Sequence, residues 1–318
     1  MLTRRRGSPW TGVGTVVAKE TADHLSGILI VLVEVLVFLA ALFAIYTAIQ
    51  AIRAAIGESR FLFLLLMTVA QPPLPFSFMD LLGMLVPVFA IVLGFDAVNG
   101  EFNRRTMSRV LAQPIYRDAL LLGKFLSGLL TLTIAFVSLW LLVIGLGLLF
   151  LGVPPSTEEA LRMFGFLVAT ILYGGVWLAV AMLFSVVFRA PTTAVLAALG
   201  LWLVFLLFWE VITPIAATAI AGPPETILGP NLHYLELHQA LSRISPSTLY
   251  GQTALALLQP DTRATGILLY TRGMLLGTPL PVGQSFLLVW PQFTGLIAGM
   301  MVIFAIAYIA FQRQEIRA

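Results

Sequence analysis

Asp96–Lys124, DAVNGEFNRRTMSRVLAQPIYRDALLLGK, interrupts a chain that is otherwise a succession of apolar runs. Five of the protein's 18 Lys and Arg residues fall in it: Arg104, Arg105, Arg109, Arg117 and Lys124. A charged side chain at the centre of a bilayer costs about 2.5–3.5 kcal/mol on insertion scales, so a stretch with this many of them stays out of hydrocarbon. Pro114, in its middle, marks a break in any helix formed there. The apolar runs on either side are therefore two membrane crossings, joined by a basic hairpin outside the bilayer.

Composition points the same way. The 318 residues are 59% hydrophobic and 10% charged, with a mean hydropathy of +0.99, whereas a soluble domain carries about 25% charge. The fold class is an all-α polytopic membrane protein, read as one transmembrane domain over 1–318. With no cysteine, disulfides, thiolate metal sites and cysteine nucleophiles are excluded. The first apolar run starts near Leu25 and has no small-residue cleavage site after it, so it is expected to remain as a span.

A helix needs about 20 apolar residues to cross the hydrocarbon. Residues 25–51, 125–153, 163–187, 194–212 and 286–311 meet this, and 78–97 is shorter but charged only at Asp80 and Asp96. Phe61–Ala70 is too short to span and stops at Gln71-Pro72-Pro73, which suits an interfacial or re-entrant piece. Six crossings place both termini on one side. That side holds Arg4, Arg5, Arg6, Lys19, the five hairpin residues, Arg189, Arg313 and Arg317, against Arg53, Arg60 and Arg162 in the short loops opposite. Excess Lys and Arg mark the cytoplasmic face. Both termini and the hairpin are thus expected in the cytoplasm of a multi-pass cell-membrane (inner or plasma) protein.

Two further features are expected outside the spans. Residues 10–24 put Trp10, Val13, Val16 and Val17 at helical spacing with Lys19, Glu20 and Asp23 on other faces, an amphipathic helix along the inner interface. The outer loop 213–285 contains Ser245-Pro246-Ser247-Thr248, a helix start with proline in the first turn. Tyr250, Ala254, Leu257 and Leu258 then share one face until Gln259-Pro260, so short helices should pack on the outer surface.

The hairpin's charges suit a partner protein. Glu101, Arg104, Arg105, Arg109 and Arg117 on a short helix would present a surface for an acidic or mixed-charge partner, because complementary charge sets register and encounter rate. Topology alone accounts equally well for Arg117 and Lys124, near the membrane boundary, but acidic residues contribute little to it, which singles out Glu101. A polar lever between two spans is what a transporter needs if an external motor is to push on it.

The order Asp96, Glu101, Thr106, Leu111, Pro114, Arg117, Gly123, Lys124 resembles the first cytoplasmic loop of type-2 ABC exporter permeases. There an acidic residue, Glu, Gly-Thr, Leu-Leu, Pro, Arg and Gly-Lys precede the third span; this chain has Arg105 where the family has glycine before Thr106. Ser245-Pro246-Ser247 and the ending Phe311-Gln-Arg-Gln-Glu-Ile316 are similar to the branch containing the nitrous-oxide reductase maturation permease. The resemblance implies an exporter's membrane subunit with a cytoplasmic coupling helix, and Glu101, Arg104, Arg105, Thr106, Arg109, Pro114 and Arg117 as its ATPase-coupling interface. It also implies two copies of an ABC ATP-binding subunit and a second permease chain, the same or homologous, with no nucleic-acid partner. Gly123-Lys124 lacks the upstream glycine of a phosphate loop, and Leu126-Ser127-Gly128 continues Leu-Leu, so no ABC signature is formed. No cofactor and no catalysis are expected on this chain; ATP and Mg belong to the partner.

Glu34 lies nine residues into the first run, deep enough to require a polar or protein-lined environment. Translocation path and hydrogen-bonded structural carboxylate both fit it; Glu34 is expected on the translocation path, because in the resembled family the first, second and fifth spans lie toward the partner permease. Glu210, at the outer end of the fifth run, suits an interfacial position. Gly295-x-x-x-Gly299 permits close helix approach, within the chain or at a dimer seam. His233 and His238 form too small a set for a metal and read as solvated loop residues. Rival functions are a proton-coupled secondary carrier, for which interrupted helices and internal repeats would be the signs, and a non-transporting membrane assembly factor.

Overall fold

Thirty-one residues, Thr157–Val187, form the helix around which the others gather. Ser156 starts it: its hydroxyl accepts from the Glu159 amide while the Glu159 carboxylate returns a bond to the Ser156 amide, which satisfies two of the donors that a helix start leaves open. The computed structural model of the protein describes residues 12–54, 61–104, 117–226, 229–260 and 280–314. In chain order the helices are α1 Val13–Ser26, α2 Ile28–Ala54, α3 Leu62–Thr68, α4 Phe78–Gly94, α5 Asn99–Asn103, α6 Arg117–Leu151, α7 Thr157–Val187, α8 Pro191–Leu203, α9 Trp209–Ala221, α10 Leu232–Ser242, α11 Pro246–Leu258 and α12 Val282–Arg313. A π-helical turn, Val204–Phe208, joins α8 to α9, and Glu225–Thr226 pairs antiparallel with Gly229–Pro230.

Six helical stretches among the described residues are long and apolar enough to cross a membrane, 28–54, 78–103, 117–151, 157–187, 191–221 and 282–313. They match the six expected runs. The largest difference is the fifth, which continues through the π turn to Ala221, so the outer loop begins nine residues later than expected. Gly222, at φ 85°, ends it. Glu210 therefore sits within a continuous helix, exposed on its surface.

Helix α7 is central because both its faces are covered, by α4 and α6 on one hand and α11 and α12 on the other. Trp177, Tyr173 and Phe166 are buried along it. Small residues allow this close contact in an apolar medium: a Cβ at Gly94 would stand 2.9 Å from that of Ala181. Gly295 packs beneath Leu249 of α11, and Gly299 faces open space, which makes the first glycine of that motif an intrachain contact.

The outer helices are more deeply placed than an outer-surface position implies. Ser245 caps α11 and Pro246 begins it, and Tyr250, Ala254, Leu257 and Leu258 form its buried face as the spacing indicates. That face is wedged between α7 and α12. Tyr250 stacks on Tyr173 at 4.6 Å and its hydroxyl meets Thr170 at 3.3 Å; Tyr173 donates to the Gly83 carbonyl at 3.1 Å. Helix α3 is likewise internal, with Phe63, Leu64, Leu66 and Met67 buried, which favours the re-entrant over the interfacial alternative. His238 is not a solvated loop residue: it stacks on Tyr234 and contacts Thr213 at 3.3 Å, fastening α10 to α9.

Candidate functional site

The two arms of the basic hairpin are fastened to the same end of the bundle. The first arm begins where α4 ends at Gly94 and turns into α5. Ser185 of α7 accepts from the backbone amides of Val98 at 3.0 Å and Asn99 at 3.2 Å, so a side chain from another helix serves as the N-terminal cap of α5. Asn99 donates to the Phe188 carbonyl at 3.2 Å and Asn103 to that of Arg189 at 2.9 Å. The second arm is the start of α6. Arg117 reaches the Gln314 carbonyl at 3.5 Å, and Asp118 is bonded by Gln312 near the end of α12. Gln314 in turn donates to the Val186 carbonyl.

The described charges of the hairpin do not share one outward surface. Arg104 is exposed, its side chain 73% accessible, and pairs with Asp96 at 3.0 Å; such a pair contributes little to stability. Glu101 turns inward to Lys124, at 2.7 Å, and Arg117 belongs to α6 rather than to the helix of Glu101. The reading of Glu101 and Arg117 as parts of one exposed face with Arg104 is corrected accordingly. A buried ammonium left without a partner would be strongly destabilising, so Lys124 requires carboxylates turned toward it. Arg105, Thr106, Arg109 and Pro114 lie outside the described residues.

Lys124 is where the elements meet. Its side chain is 5% exposed and its Nζ lies 3.0 Å from Glu20 Oε2 on α1, as well as against Glu101 on α5. Helical spacing sets Glu20 apart from the apolar face of α1, but it turns toward α6, in line with Val16 and His24. Contacts then advance in step along α1 and α6. Val16 covers Gly123, leaving no room for a Cβ there, Glu20 meets Lys124, and His24 meets Ser127 and Thr131, each at 3.3 Å. The amphipathic helix is thus docked on α6. Burial works against the charge of Glu20, but Lys124 and Lys19 outweigh it and hold the carboxyl below its ordinary range. Burial keeps His24 below its ordinary value, hence neutral near pH 7. The signal for this seam was present: a lysine one residue before an apolar run, in a chain with glutamate at matching helical positions, needs a partner.

Glu34 stands apart from the hairpin. It extends by one turn the buried stripe of α2, Val37, Ala41, Ala44 and Ala48, at the point where cover thins and the residue becomes half-buried. No described residue gives it a hydrogen bond or ion pair. No group of three or more His, Cys, Asp or Glu that could hold a metal occurs among the described residues.

The family model of ABC-2 family transporter proteins matches residues 14–316, nearly the entire chain. The chain belongs to the ABC-2 transporter family. Two relatives agree. A probable ABC transporter permease protein NosY of Pseudomonas aeruginosa is 31% identical over 204 residues, 62% of this chain and 68% of that protein. Its namesake in Stutzerimonas stutzeri is 30% identical over 244 residues, 75% and 79% of the two chains. This ABC-2 protein is therefore a multi-pass transmembrane permease subunit of an ABC transporter, as the hairpin and the C-terminal residues implied by resemblance.

Proposed function

We propose that the chain is the membrane half of an ATP-driven exporter, with both termini in the cytoplasm, powered by a separate ABC ATP-binding subunit that docks on loop 96–124. Two permease chains and two ATP-binding subunits complete the transporter. Arg104, Arg105, Thr106, Arg109 and Pro114 form or shape the docking surface, and Glu101 and Arg117 brace its two roots from behind.

The observation that carries this reading is the anchoring of both hairpin arms to α7, α12 and α1 at one end of the bundle. A loop held that firmly at its two roots passes a displacement into the bundle instead of absorbing it, because packed elements transmit strain. The chain supplies a surface and a lever; ATP and Mg are held by the partner. A proton-coupled carrier would have no use for such a lever, and membership of an ABC family speaks against it.

The test is purification of the permease from its native membrane with whatever ATP-binding subunit accompanies it, followed by the same preparation with Arg104→Glu. The wild-type permease should change the hydrolysis rate of the ATPase relative to the isolated subunit, and Arg104→Glu should return it toward the isolated rate with membrane insertion intact. Copurification of no ATP-binding subunit, or an unchanged rate in Arg104→Glu, would contradict the docking surface.

A further inference from the structure

One ammonium group shared by two carboxylates from two other helices is a poor way to stabilise a fold. Removing Lys124, Glu20 and Glu101 from water costs more than a buried pair reliably returns, and apolar groups of similar volume often serve as well or better. What such a cluster supplies is fixed geometry: Nζ reaches Glu20 at 3.0 Å and Glu101 at 2.7 Å only when α1, α5 and α6 hold one arrangement. Helix α5 leads directly into the basic loop. Helix α1 is joined to α2, which carries Glu34, through the single residue Gly27. The three helices therefore lie in series between the loop and the first span.

We propose that Lys124 is a positioning residue that latches α1 to the root of loop 96–124, so that a displacement of the loop is carried through α1 into the first span. This rests on the docking of an ATP-binding subunit at that loop. The seam beside the latch, Val16 on Gly123 and His24 on Ser127 and Thr131, holds α1 at rest; Lys124 holds it under load. A role confined to folding would make α1 loosen equally with and without ATP hydrolysis, whereas a latch is needed only while the loop is moving.

Thr21 is buried on α1 and the chain has no native cysteine, so a Thr21→Cys reporter reads the docking of α1 through its reaction with a water-soluble maleimide. The measurement is made on the complete complex with its ATP-binding subunit, without nucleotide and during ATP hydrolysis. The reporter is compared alone, with Lys124→Arg, and with Glu20→Gln, Glu101→Gln and Lys124→Met combined, which removes all three charges and leaves no buried ion without a partner. The reporter alone and Lys124→Arg should stay protected in both conditions. The triple variant should stay protected at rest and label about tenfold faster during hydrolysis, as expected for local opening under load, with permease-dependent ATPase activity reduced. Protection throughout with unchanged activity would overturn the latch. So would labelling equally fast without nucleotide, which would reduce Lys124 to a structural role. Absence of any permease-dependent ATPase activity in the reporter protein alone would instead overturn the docking reading beneath it.

Discussion

Arg162 and Glu34 each place a charge in an apolar helix, and the chain treats them in opposite ways. Arg162 has no exposed side-chain surface and bonds Glu158, the Leu257 carbonyl at 3.2 Å, Ser285 at 3.0 Å and the Leu280 carbonyl. Every one of those contacts joins α7 to itself, to α11, to α12 or to the residues leading into it, so the residue belongs to the fold. Glu34 has no such set among the described residues, and its cost in hydrocarbon, several kcal/mol if ionised, is left unexplained by the single chain. The proposal that it lines the translocation path predicts that Glu34→Gln alters permease-dependent ATPase activity while thermal stability in detergent stays near that of the wild type. Unchanged activity in Glu34→Gln, together with lower stability in Glu34→Leu, would make it a structural residue. The expense of Glu34 is legible in the sequence because depth alone reveals it. Arg162 reads there as a topological charge, since its partners at Leu257, Leu280 and Ser285 lie about a hundred residues away and two are backbone carbonyls that any residue supplies.

Length and hydropathy are enough to find the six long apolar helices among the described residues, because crossing a bilayer demands about 20 apolar residues whatever the neighbours are. They could not show that the fifth passes through a π turn at Val204–Phe208 and runs on to Ala221, since the composition there does not change. Amphipathic stripes were legible in α1 and α11, but a stripe says that a face is buried and not against what. For α1 the partner is α6, and the fit is close: a Cβ at Gly123 would stand 2.6 Å from Val16 Cγ1. Gly123→Val should therefore push α1 away and destabilise the protein by about 1–3 kcal/mol, the usual cost of overpacking, and Val16→Ala in the same chain should restore much of the loss on thermal unfolding. The polar half of the seam predicts a pH dependence. His24 and Glu20, facing Lys124 and flanked by Lys19, Asp23 and Asp96, are both held below their ordinary values when α1 is docked. Undocked α1 thus binds protons more readily, so stability is complete above His24's ordinary value of 6.5 and is lost in two steps as pH falls. The first lies below 6.5 and should vanish in His24→Gln; the second lies below 4.5 and belongs to Glu20. A midpoint for thermal unfolding that is flat from pH 8 to about 4 would contradict this account of the seam.

At the scale of the molecule, the described basic residues outside the loop 222–281 lie mostly at one end. Lys19, Arg104, Arg117, Lys124, Arg189 and Arg313 gather beside α1 and the end of α12; Arg53, bonded to the Phe150 carbonyl at 2.8 Å, and Arg162 lie at the other end. The family followed from the hairpin and is shown by a match over residues 14–316. The docking surface was legible only as charge: the inward turn of Glu101 depends on Lys124 lying behind it, a contact between helices that no linear spacing reveals. The proposed function requires that loop 96–124 face the cytoplasm and seat an ATP-binding subunit. Arg104→Cys would be the only cysteine in the chain, on an exposed side-chain position of that loop, and a photoreactive cross-linker attached there in native membranes tests the claim directly. The expected result is a covalent adduct with an ABC ATP-binding subunit, identified by mass spectrometry, and no reaction of the cysteine with an impermeant reagent added outside intact cells. Labelling from outside, or an abundant cross-link to other membrane proteins with none to an ATP-binding subunit, would contradict it.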